Sequence, residues 1–215
     1  MPSDIFGLGL VYETQVESTW PELSEFGYFN GGGLDPITRV STIDRLDFSN
    51  ETVSASGNNL TEARSGLAAV SNSNYGYFAG GFAPPYVCTI DRLDFSNETT
   101  SAPSSNLTQA RSGLAAVSNS NYGYFAGGYA SGYVCTIDRL DFTNETVAVP
   151  PVGNQLTQGR SDLATVSNSN YGYFGGGFSP PTVKTIDRLE FSNETTSAPA
   201  SDLSQQMQGG AGVSN

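Results

Sequence analysis

Residues 75–121 read YGYFAGGFAPPYVCTIDRLDFSNETTSAPSSNLTQARSGLAAVSNSN, and a near copy, YGYFAGGYASGYVCTIDRLDFTNET, starts at Tyr122. Further copies start at Tyr171 (YGYFGGGFSPPTVKTIDRLEFSNET) and at Phe26 (FGYFNGGGLDPITRVSTIDRLDFSNET). The Asp of TIDRL falls at Asp44, Asp91, Asp138 and Asp187, in steps of 47, 47 and 49 residues. Self-similarity at such a period marks a repeat architecture, in which each unit buries its apolar faces only by stacking on its neighbours. The chain therefore divides into residues 1–25, which do not fit the repeat, and a body over 26–215 with repeats starting near 26, 75, 122 and 171.

Each unit reads as four short strands. GLAAV (66–70, 113–117) is apolar and small, suited to a crowded site near an axis, and SNSN after it supplies a turn whose Asn residues tolerate left-handed angles. YGYF is the second strand, ended by Gly80-Gly81, and TIDRLDF is the third. Ser-Asn-Glu-Thr then turns the chain into a looser fourth strand, TTSAPSSNL, whose Pro103 suits an outer edge. No stretch sustains a helical period. The expected fold is all-β: a propeller of about four four-stranded blades, with aromatic residues such as Tyr75, Tyr77, Phe78 and Phe95 filling the space between blades. Full burial of one such ring contributes about 1.5–3 kcal/mol.

The fourth copy runs out as QQMQGGAGVSN, with Met207 where the others carry Arg64, Arg111 and Arg160. Gly209–Val213 is then a first strand without a blade of its own, and FGYFNGGG lacks a first strand. Pairing the two closes a four-blade ring within one chain. Alternatively WPELSE supplies that strand, and the chain forms part of a larger ring completed by another subunit. Residues 1–25, with the only tryptophan, Trp20, are either an assembly arm or a degenerate strand.

A hydrophobic strand ending in Gly-Gly, a following strand with an acidic residue, and a downstream Arg-Ser-Gly resemble the kelch repeat over about residues 26–215. YGYFAGG, VCTIDRLDF and ARSGLAAV carry the likeness. The chain departs from kelch where TIDRLDF replaces the usual Tyr and Trp pair, with Phe in place of Trp. The near identity of the copies and the phrase TIDRLDFSNET also resemble repeat propellers in tailed-bacteriophage structural proteins, those of cyanophages among them. This resemblance implies a virion component, in a tail, fibre or head decoration, whose partners are other virion proteins or a host-surface glycan or protein.

Composition narrows the rest. A net charge of −12 argues against nucleic acid as a partner, since phosphate binding needs a basic footprint. Histidine is absent, which removes the usual general base and the commonest metal ligand. There is no Cys-x-x-Cys, no phosphate-binding GxxxxGK[ST] and no nucleophile elbow, so no catalytic residue, metal or cofactor is assigned and no enzyme is expected. Cys88 and Cys135 occupy equivalent places, which marks a tolerated packing position rather than a disulfide framework. The repeated Asn-x-Thr sites read as turns. MPSDIFGLGLVY has no basic n-region, and its apolar run is too short for a signal peptide or a membrane span, so the expected location is the virion or otherwise the cytoplasm.

Two residue sets stand out. The adjacent pairs Asp44-Arg45, Asp91-Arg92, Asp138-Arg139 and Asp187-Arg188 point to opposite sheet faces, so they pair between blades or within blade networks, and Arg64, Arg111 and Arg160 join them as structural repeat residues. A cation held by the four Asp, or an anionic sugar held by the Arg set, is the less favoured reading. The loops after Gly-Gly, by contrast, vary between copies: LDPITR, FAPPYV, YASGYV and FSPPTV. They place Asp35, Phe82, Tyr86, Tyr129, Tyr133 and Phe178 on one face as candidate contact residues. The expected function is a non-enzymatic structural or adhesion module presenting that face, with a homo-oligomer among the expected assemblies. A glycan-binding propeller lectin and an intracellular kelch-like adaptor are the alternatives.

Overall fold

A computed structural model of the protein describes residues 26–35, 37–150 and 154–214. The alternatives for residues 1–25, WPELSE included, lie outside the described residues. The described residues form fifteen strands and no helix, in four antiparallel sheets that follow one another along the chain. The first sheet has three strands, β1 (Phe26–Asn30), β2 (Ile43–Asp47) and β3 (Thr52–Ala55). The second has β4 (Ala68–Ser71), β5 (Tyr75–Ala79), β6 (Ile90–Asp94) and β7 (Thr100–Ser101). The third has β8 (Ala115–Ser118), β9 (Tyr122–Ala126), β10 (Ile137–Asp141) and β11 (Val147–Ala148), and the fourth β12 (Ala164–Ser167), β13 (Tyr171–Gly175), β14 (Ile186–Glu190) and β15 (Thr195–Ser197). The strand order matches a four-blade propeller.

Register follows from the alternation of side chains. In the second blade Tyr77 stands opposite Arg92 and Phe78 opposite Asp91, so one strand pair presents an aromatic and a charge to each face. The reverse turn between third and fourth strands is built by SNET itself. Asp94 Oδ1 accepts from the Ser96 N–H at 2.9 Å, Asn97 Oδ1 accepts from the Thr99 N–H at 2.9 Å, and Glu98 sits at φ 56°. The fourth strands of the second and third blades are shorter than TTSAPSSNL suggests: β7 is two residues long and Pro103 lies outside it. The chain leaves the edge early because NLTQAR has to cross to the next blade. Leu107 N–H donates to Cys88 O of its own blade at 2.9 Å, and Thr108 Oγ1 donates to Asp138 Oδ1 of the next at 2.6 Å.

The blades are joined by one lock, repeated three times. Arg64, Arg111 and Arg160 are fully buried and reach Asp91, Asp138 and Asp187 of the following blade at 2.9, 3.1 and 2.8 Å. The same Nη2 donates to the carbonyls of Phe78, Phe125 and Phe174. Their own backbone carbonyls accept from Gly32, Gly81 and Gly128 of the blade they leave, so each Arg clamps two blades. Nearer the rim, Arg45, Arg92 and Arg139 pair at 2.8 Å with Glu98, Glu145 and Glu194 of the following blade. Tyr28, Tyr77 and Tyr124 donate to those same glutamates and stack on Phe95, Phe142 and Phe191, with centroids 5.3–5.4 Å apart. Between these layers lies the core, for example Val70, Tyr77, Ile90, Phe125, Leu140 and Phe142 across the second and third blades. Blades approach closely: a Cβ on Gly123 would lie 2.6 Å from Val70 Cγ2 of the preceding blade.

Closure is where structure and expectation differ. Gly209–Val213 forms no ladder with β1; instead the Gly209 N–H donates to Asp162 O at 2.9 Å. That bond continues a series begun by Gly113 N–H to Gly66 O and Asp162 N–H to Gly113 O. The segment thus lies beside the fourth blade, where the first strand of a further blade would stand, and no ladder joins it to β1 among the described residues.

Candidate binding face

The second-to-third-strand loops and the segments entering each first strand meet on one face. Phe82, Tyr129 and Phe178 each form an isolated bridge to a serine of the entering segment: Ser65, Ser112 and Ser161. Tyr129 N–H donates to Ser112 O at 2.7 Å and Ser112 N–H returns to Tyr129 O at 3.0 Å. Across its own loop, Phe82 bridges Tyr86, Tyr129 bridges Tyr133, and Phe178 bridges Thr182. The loop tips are therefore fixed by backbone pairing, and their side chains are carried out over the face in a set order.

That order makes a row of rings. Phe82 and Tyr86 are 5.1 Å apart, Tyr86 and Tyr129 6.0 Å, Tyr129 and Tyr133 5.1 Å, and Tyr133 and Phe178 5.6 Å. Two of these contacts cross from one blade to the next, so five of the six sequence-selected residues form one row. The first blade bridges Gly33 to Arg39 where the second and third use an aromatic pair, and the Arg39 guanidinium lies 4.6 Å from the Phe82 centroid, capping the row with a cation. Thr182 stands where Tyr86 and Tyr133 stand and ends it at Phe178. The rings remain partly exposed. Loss of solvent, together with Tyr129 and Asp162 beside it, pushes the Tyr133 phenol upward.

Beneath the row is a cavity of about 300 Å³, lined by Phe82, Tyr86 and Tyr129 and by Ser65, Ser112 and Asp162. Sequence reasoning missed these polar groups and Arg39. The Arg-Ser-Gly recurrence contains the serines, but only the bridges to Phe82, Tyr129 and Phe178 reveal that they face the same hollow. Asp35, the sixth selected residue, does not join the row. Its carboxylate accepts from the N–H groups of Ile37 and Thr38 at 2.8 and 2.7 Å and from Thr38 Oγ1 at 2.9 Å. Those bonds hold it well below the usual carboxylate range and spend it on its own loop. The opposite face carries a polar cavity of about 470 Å³ among Asn119, Asn121, Asn170 and Ser192.

The charged repeat residues lie between blades rather than on this face. Asp91, Asp138 and Asp187 are fully buried and taken up by arginine and threonine partners. Asp44 is half-buried with no cation in reach among the described residues. Arg188 donates to Ser197 Oγ of its own blade at 3.0 Å. Cys88 and Cys135 are both free thiols. No group of three or more metal-ligating side chains occurs among the described residues. No protein-family model matches the chain, and no curated protein matches it.

Proposed function

We propose that this protein is a non-enzymatic binding module that presents the aromatic row as a docking face, in the manner of an adhesion or structural component of a bacteriophage virion. The row from Arg39 to Phe178 supports the docking reading: rigid, partly exposed rings give contact area at low entropic cost. The virion setting rests on the resemblance of TIDRLDFSNET to phage propeller repeats, which also supplies the partner class: another virion protein or a host-surface protein or glycan. The hollow beneath the row favours the glycan version, because Ser65, Ser112 and Asp162 offer hydroxyls and a carboxylate beside ring faces, the pairing that takes a sugar's hydroxyls and its C–H surface.

The test replaces Tyr86, Tyr129 and Tyr133 together by Ser and measures binding to glycan arrays and to intact bacterial cells. The expected result is saturable binding by the wild type that falls at least about tenfold in the variant while the melting transition is retained. Wild-type protein that binds neither surface, or a variant that binds as well, overturns the docking reading. Absence of the chain from purified virions overturns the virion setting.

A further inference from the structure

The rim half of the lock recurs at three internal junctions and is left split at the two ends. The first blade carries the acceptor half, Phe48 and Glu51, on the same SNET turn that elsewhere supplies Phe95 with Glu98. Glu51 holds φ 57°, matching 56° at Glu98, Glu145 and Glu194, yet its side chain is exposed with no partner among the described residues, and Phe48 is 53% exposed. The fourth blade carries the donor half. Among the described residues the Tyr173 ring pairs only with the ring of Tyr171 on its own strand, and Arg188 hydrogen-bonds only within its blade, although it lies over the Tyr171 ring at 4.9 Å as Arg92 lies over Tyr75 at 4.7 Å. The apolar surfaces are open in the same way. Phe29 is 62% exposed, where Phe78, Phe125 and Phe174 are at most 4% exposed, and Val166 is 36% exposed, where Val70 and Val117 press on the next blade's glycine. At Gly27, the equivalent glycine of the first blade, the three atoms nearest an added Cβ all belong to Phe48 of its own blade, and among the described residues none of these three comes from a neighbouring blade.

We propose that these two ends join head to tail between copies of this chain, the first blade of one copy seating on the fourth blade of another. Arg188 and Tyr173 then meet Glu51, Phe48 stacks on Tyr173, and residues 211–214 become the missing inner strand of the three-stranded first sheet. By the register of β4 on β5, Ala211 stands opposite Asn30, Gly212 opposite Phe29 and Val213 opposite Tyr28. A second copy is the occupant because the two halves are complementary in charge and ring placement, and within one chain they do not meet. Such a heterologous contact builds a ring if its rotation closes and a filament otherwise. Met207 stands where the internal junctions have a buried Arg, so this junction lacks the Arg–Asp clamp and is the reversible one of the four.

Sedimentation velocity over a concentration series tests this with Glu51→Arg, Arg188→Glu and their mixture. The wild type is expected to associate; each single variant should weaken association at least about tenfold through like charges at the junction. Mixing the two restores it, because every mixed junction pairs opposite charges. Met207→Arg, which supplies a cation for Asp44, shifts association to lower concentration. A wild-type monomer near 22.6 kDa at all concentrations overturns the proposal. So does assembly indifferent to both charge reversals, or a mixture that fails to recover. If instead the single variants are monomers with lowered melting temperature and the double variant in one chain regains it, the two ends join within one chain and the proposal fails.

Discussion

Arg111 is a cation with no exposed surface, anchored on Asp138 at 3.1 Å and on Phe125 O. Burial pulls its guanidinium down and Asp138 opposes that. Removing one member of such a pair leaves a charge in the interior, so Arg111→Met is expected to cost about 3–5 kcal/mol, whereas Arg111→Met with Asp138→Leu recovers most of it. Urea unfolding of the two variants checks this; equal losses would show that packing rather than charge dominates the clamp. Tyr28 gives a pH signature. Burial, then the negative charge of Glu98, lifts its phenol from 10.0 to about 12, and Tyr77 and Tyr124 are displaced the same way. The folded chain therefore retains protons that the unfolded chain releases. The stability from these phenols is complete below pH 10 and falls as pH rises from 10 toward 12. Tyrosinate absorbance followed with the unfolding midpoint should show a late-titrating group whose ionisation accompanies unfolding. Titration of all tyrosines near their ordinary value, with stability unchanged, would contradict it.

At the scale of the element, Gly-Gly ends the second strand because the segments entering its own blade and the next one both cross it at backbone distance. Gly128 lies at φ 104°, and a Cβ there would sit 2.8 Å from Ser112 O. Gly128→Ala is expected to cost about 1–3 kcal/mol from the forced backbone angle, and more from displacing the Ser112 strand. Gly132→Ala, where a Cβ has open space, serves as the control in thermal unfolding. The second and third strands were legible in the sequence because YGYF and TIDRLDF alternate and are bounded by Gly-Gly and SNET. The fourth was not, since its length is set by where NLTQAR must reach across to Asp138, a distance absent from local pattern. The loop aromatics were legible as variable positions between constant turns. The hollow they cover was not, because Ser65 and Phe82 are brought together only by blade stacking. Asp35 looked like a surface ligand, yet its neighbours Ile37 and Thr38 supply the donors that occupy it.

For the whole molecule, the repeat predicts a stack whose internal junctions are alike and whose ends are complementary. Stability then resides mostly at three clamped junctions, and the proposed head-to-tail assembly at a fourth that lacks the clamp. The most direct test of that claim is disulfide trapping at the predicted register. Asn30→Cys and Ala211→Cys, which stand opposite each other in that register, are introduced together, with Cys88 and Cys135 replaced by Ser, and the mass is read after mild oxidation without reductant. The account predicts covalent multimers of whole chains that collapse to the single chain on reduction. A product of single-chain mass, whether internally bridged or unbridged, would contradict it.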